Sequence, residues 1–113
     1  MHAYEIPGLR FSLPAGGAVA RHRFVSVSDE KAIQATASTP VVGASMNQSD
    51  NTNHIVEIAD GIVMVEAAGT ITSGAVVYSD ASGKATGTGT DNAVGVAITA
   101  ATGAGQLVAV KIN

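Results

Sequence analysis

Apolar and polar positions alternate in short runs along this chain, and nowhere do they settle into the 3.6-residue period of an amphipathic helix. Leu9, Phe11 and Leu13 alternate with Arg10 and Ser12, giving a strand with one apolar face. Pro7-Gly8 and Pro14-Ala15-Gly16-Gly17 close it off on either side. Residues 24–27 and 32–35 flank Asp29-Glu30 and predict a hairpin, and residues 39–44 predict a further short strand. Residues 55–58 and 62–65 are apolar runs on either side of Ala59-Asp60-Gly61, and Asp-Gly in that position predicts a second hairpin. Residues 68–74 read as a tight bend. Residues 76–79 and 84–86 form another hairpin around Asp80-Ala81-Ser82-Gly83, and residues 92–98 and 107–112 complete the sheet. One helical turn within 29–37 is the most helix that the pattern allows.

The second half of the chain is a faint copy of the first. Val25-Ser26-Val27-Ser28-Asp29-Glu30-Lys31-Ala32 is echoed by Val76-Val77-Tyr78-Ser79-Asp80-Ala81-Ser82-Gly83-Lys84-Ala85. Val41-Val42-Gly43-Ala44 is echoed by Ala93-Val94-Gly95-Val96, and His54-Ile55-Val56-Glu57-Ile58 by Gln106-Leu107-Val108-Ala109-Val110. The offsets run from 51 to 53 residues, with the slack taken up in the turns. A β-unit used twice predicts a small barrel or sandwich rather than a catalytic cleft.

Composition sharpens this. At 113 residues the chain is one domain. Val and Ile number 22 against three Leu, and β-branched side chains suit a pleated surface. The expected class is therefore all-β: a small β-barrel or sandwich of two similar β-units, with an extended N-terminal arm over residues 1–17 and a single barrel-like domain over residues 18–113. The competing reading of the arm is an ordinary first strand of the barrel. Ala, Gly, Thr and Ser fill 52 positions, and there are only two Phe, two Tyr and no Trp. So thin a core leads to the expectation that contacts between subunits supply part of the stability.

The chemistry that a catalyst or carrier needs is not apparent. Net charge is −3 with no basic patch, which argues against nucleic acid as a partner. Arg21-His22-Arg23 reads as a solvated turn. Cysteine is absent, so disulfides, thiolate metal sites and Cys nucleophiles are excluded. His2, His22 and His54 are not at metal-ligand spacing, and no metal or cofactor is expected. Asp29, Asp60, Asp80 and Asp91 stand where turns favour them. No Ser has a nucleophile elbow around it, and Gly87-Thr88-Gly89-Thr90 lacks the Lys-Ser/Thr of a phosphate loop. No run approaches 18 apolar residues, and the start, Met1-His2-Ala3-Tyr4-Glu5-Ile6-Pro7, lacks a basic segment followed by an apolar one. Neither a membrane span nor a leader is expected.

Residues 63–74 faintly resemble a biotinyl or lipoyl carrier domain, which is also a doubled β-unit. Such a domain needs a Lys at a hairpin tip, and no Lys lies between Lys31 and Lys84. A carbohydrate- or cell-surface-binding module is the main alternative from another class. Its weakness is the shortage of aromatics to stack on sugar rings, only Tyr4, Phe11, Phe24 and Tyr78 being present.

Ala67-Ala68-Gly69-Thr70-Ile71-Thr72-Ser73-Gly74-Ala75-Val76-Val77-Tyr78-Ser79-Asp80-Ala81-Ser82-Gly83-Lys84 resembles the head decoration, or capsid cement, proteins of tailed bacteriophages. So does the ending, from Asn92-Ala93-Val94-Gly95-Val96-Ala97 through Gln106-Leu107-Val108-Ala109-Val110-Lys111-Ile112-Asn113. The likeness is strongest over residues 60–113 and weaker over 15–45. The Asn-rich loop at 45–53 departs from the pattern. The resemblance implies a non-enzymatic virion protein, made in the host bacterial cytoplasm, that adds to the outer surface of the expanded head. It implies clamping of neighbouring major capsid protein subunits, often as a homotrimer. On that reading Tyr4, Ile6, Leu9 and Phe11 of the arm are the expected capsid contacts.

Overall fold

The computed structural model describes residues 6–50, 54–89 and 92–112. It contains nine strands: β1 (Ile6–Pro14), β2 (Phe24–Ser28), β3 (Lys31–Gln34), β4 (Gly43–Ser45), β5 (Ile55–Glu66), β6 (Val76–Ser79), β7 (Ala85–Thr86), β8 (Gly95–Ala97) and β9 (Leu107–Ile112). There is no helix among the described residues, not even the single turn allowed within 29–37. The strands run antiparallel in the order β3-β2-β4-β5-β9-β8-β6-β7, with β1 added alongside β5. The sheet curls into a small barrel: the Phe24 amide on β2 donates to the Gly83 carbonyl beside β7 at 2.8 Å, although the two strands lie near opposite ends of the sheet order.

Pairing registers show that the chain is one β-unit used twice, with an offset of 52 that becomes 53 only at β3 and β7, after a turn one residue longer in the second unit. Val25 pairs with Gly43 and Val77 with Gly95. Ser45 pairs with Ile58 and Ala97 with Val110. Val19 bridges Ser49 as Ile71 bridges Ala101. The correspondence also reaches β1: Leu13 opposes Val56 as Val65 opposes Val108. β1 is therefore the counterpart of the second half of β5, and the segment divided off above as an arm is hydrogen-bonded into the sheet from Ile6 to Pro14.

This duplication corrects one expectation. Asp60-Gly61 is not a hairpin turn; residues 55–66 form one continuous strand. The last strand of the first unit runs straight into the first strand of the second. Its first half pairs with β1 and β4, and its second half with β9. The Asp-Gly signal survives as a kink: Gly61 has φ 109°, its amide donates to Asp60 Oδ1 at 2.8 Å, and β1 answers with a register shift between Pro7 and Leu9. Partners on both sides of the kink outweigh the local preference to turn back. The strand expected over 39–44 is also shorter, since pairing begins only at Gly43.

Each unit has its own core, and the two correspond position by position. Ala15, Val19, Val25, Ala32, Val56 and Ile58 form the first. Ala67, Ile71, Val77, Ala85, Val108 and Val110 are their counterparts in the second. The second cluster is larger because Val63, Val65, Val94, Ala97, Ala101 and Ile112 also belong to it and Phe24, Ala35, Ala44 and Ala59 of the first unit join it.

Candidate interaction surface

Strand β1 carries most of the residues singled out from sequence. Tyr4 lies outside the described residues, as do His2 and Asp91. Ile6 opens β1, opposite Ile62. Leu9 is 58% exposed, the most exposed large apolar side chain among the described residues. Phe11, two residues on along the same face, is half-buried and packs on the first core with Leu13. The alternation that predicted one apolar face is thus divided between two uses: Phe11 and Leu13 close the protein's own core, and Leu9 is left to solvent. Along its other edge β1 has no strand partner among the described residues, so it is an edge strand.

Beyond β1, Val27, Ile55, Val76, Val96 and Leu107 are exposed. Ile55 and Leu107 are counterparts, both at the start of the unit's last paired stretch, and both stay outside. Nothing in the sequence alone marks these valines as exposed, because Val recurs at inward positions such as Val25, Val56 and Val77.

Polar side chains join the two units. Glu66 accepts from Arg23 at 3.3 Å and faces Lys84 at 3.3 Å, and Arg23 also donates to the Ser82 carbonyl at 3.1 Å. Partial burial raises the pKa of Glu66, but hydrogen bonds and charge from Arg23 and Lys84 outweigh that and hold it below the ordinary carboxylate range. Asp80 Oδ1 caps its own turn, accepting from the amides of Ser82 and Lys84 at 2.8 and 2.9 Å. His22 sits in a turn at φ 60°, where its counterpart is Gly74 at φ 86°. Among the described residues, no three His, Asp or Glu side chains gather as a metal site would require. A hollow of about 440 Å³ lies beside Tyr78. There the Gly89 backbone covers the ring so closely that an added Cβ would stand 2.5 Å from Tyr78 Cγ.

The described residues thus form a doubled antiparallel sheet with a free-edged strand and scattered exposed apolar side chains. A family model for phage cement proteins matches residues 5–112. The chain belongs to that family, and it is a capsid-associated structural protein of a phage. No curated protein matches it. Among solved structures it is similar to the N base of head fiber gp8.5 in bacteriophage phi29, at 21% identity over 93% of each chain with a TM-score of 0.75. At that identity the likeness shows a shared fold. No helix among the described residues is long and apolar enough to cross a membrane.

Proposed function

We propose that this protein binds the outer surface of the expanded phage head and stabilises it by bridging neighbouring major capsid protein subunits. It acts without catalysis, and it self-associates, with a trimer favoured. Strand β1 carries the contact: it adds its open edge to a strand of the capsid protein or of a neighbouring copy, with Leu9 and Ile6 as apolar anchors, and Tyr4 and Phe11 contribute to the same contact. The observation that carries this reading is the unpaired edge of a nine-residue strand bearing the exposed Leu9. Pro7 and Pro14 and the exposed Arg10 limit indiscriminate pairing along that edge. Each contact is weak, and many copies held in one lattice act together.

The test is binding to emptied, expanded heads. Leu9→Asp, or removal of residues 1–5, is expected to lower occupancy while leaving the fold intact. Removing residues 1–13 would not separate binding from folding, because it strips Phe11 and Leu13 from the first core. Full occupancy by both Leu9→Asp and the shortened chain would rule out β1 as the contact.

A further inference from the structure

A tandem repeat leaves one unmatched surface at each end, and both ends are open here. Across β2, β4 and β5 the side chains of Phe24, Ala44 and Ala59 form a row. It is fully covered, at 0%, 1% and 0% exposure, because it packs on the core of the second unit. The same row 52 residues on, Val76, Val96 and Lys111, crosses β6, β8 and β9 in the same register. Nothing among the described residues covers it as the second unit covers the first row, and Val76 and Val96 are 48% and 38% exposed. The opposite end shows the reverse mismatch. Val63, Val65 and Val94 lie buried in the second core, which the first unit's row joins, whereas their counterparts Phe11, Leu13 and Val42 are only half-buried.

We infer that these two ends meet between copies: the Val76–Val96 row of one molecule docks on the half-open Phe11–Leu13–Val42 surface of the next, repeating the contact already made within the chain. The inference rests on the self-association proposed above and names the surface that performs it. The contact is heterologous, so it closes into a ring or runs on along a lattice. Three substitutions between the units weaken it relative to the internal contact. Lys111, which is exposed, replaces Ala59 at the end of the row, and a charged ammonium has to keep its water when the row is covered. Phe11 and Leu13 replace Val63 and Val65, and their extra bulk fills part of the open end. Weak pairing in solution and firm pairing on a shell follow from the same surface, since a lattice supplies the effective concentration.

Sedimentation velocity over a wide concentration range tests this with the full chain, Val76→Asp and Lys111→Ala. The wild type is expected to associate reversibly. Val76→Asp should weaken association by about tenfold or more, because a carboxylate is buried without a partner. Lys111→Ala, which restores the residue found in the internal row, should tighten it. Association of the wild type that neither substitution changes would overturn this surface and leave self-association standing. A wild type that stays monomeric at every concentration would overturn both. If Val76→Asp then also failed to bind expanded heads, the row would belong to the capsid protein instead.

Discussion

Gly95 lies directly against the backbone of Lys111, so that a Cβ built on it would collide with the Lys111 carbonyl oxygen. The same relationship holds one repeat earlier, where a Cβ on Gly43 would stand 2.5 Å from the carbonyl oxygen of Ala59. Neither glycine is in the left-handed region; what each needs is the absence of a side chain, so that β4 can cross β5 and β8 can cross β9 closely. Gly95→Ala is expected to destabilise the fold by about 2–3 kcal/mol through overpacking, read from urea unfolding, with Gly43→Ala in the same direction. A midpoint unchanged in both variants would refute the close-crossing account.

Acid should loosen the junction between the two units. The pKa of Glu66 is depressed in the folded state by Arg23 and Lys84. Its contribution is therefore present above the unfolded carboxylate value of about 4.3 and is lost as pH falls through the lower folded value. Thermal melts of wild type and Glu66→Gln should differ at pH 7 and converge toward pH 3. A gap that persists at pH 3 would place the effect in packing.

The turn between β2 and β3 is strained at both central residues. Asp29 and Glu30 have φ 53° and 61°, and Ser28 pairs directly with Lys31, the geometry of a two-residue type I′ turn. Such turns favour Asn-Gly, because a side chain in the left-handed region costs about 1–2 kcal/mol. Asp29→Asn with Glu30→Gly should stabilise the protein by about 1 kcal/mol, measured as a higher unfolding midpoint at unchanged slope.

Asn47 and Thr99 are counterparts with one task. Asn47 Oδ1 accepts from the Glu57 amide at 2.8 Å, and Thr99 Oγ1 accepts from the Ala109 amide at 3.0 Å. The first bond is exposed and the second buried. Thr99→Val leaves a buried amide unpaired and should cost about 1–3 kcal/mol, whereas water can replace Asn47 in Asn47→Ala at about 1 kcal/mol or less. Equal losses in the two variants would contradict this. Part of the Asn-rich loop thus has a structural task that its composition conceals.

The β class, the Asp29-Glu30 hairpin, the hairpin after residue 79 and the doubling itself were legible because they depend on near neighbours and on side-chain alternation. That β1 corresponds to the second half of β5 was not legible. Arg10-Phe11-Ser12-Leu13 and Ile62-Val63-Met64-Val65 share only which positions face inward, and no residue is identical. The exposed Val76 and the buried Phe24 occupy equivalent places, and nothing local distinguishes a row that will be covered from one that will not.

By itself, then, the chain's order of residues determined a twice-used β-unit, poor in bulky and reactive side chains, with turns where glycine and acidic residues allow them. Only the tertiary structure decided that Asp60-Gly61 bends one long strand instead of ending two, that β1 lies along β5, and which apolar rows stay open. The physical reason is that turn preferences act over a few residues and are worth about 1 kcal/mol, whereas strand pairing and burial add up over partners distant in sequence.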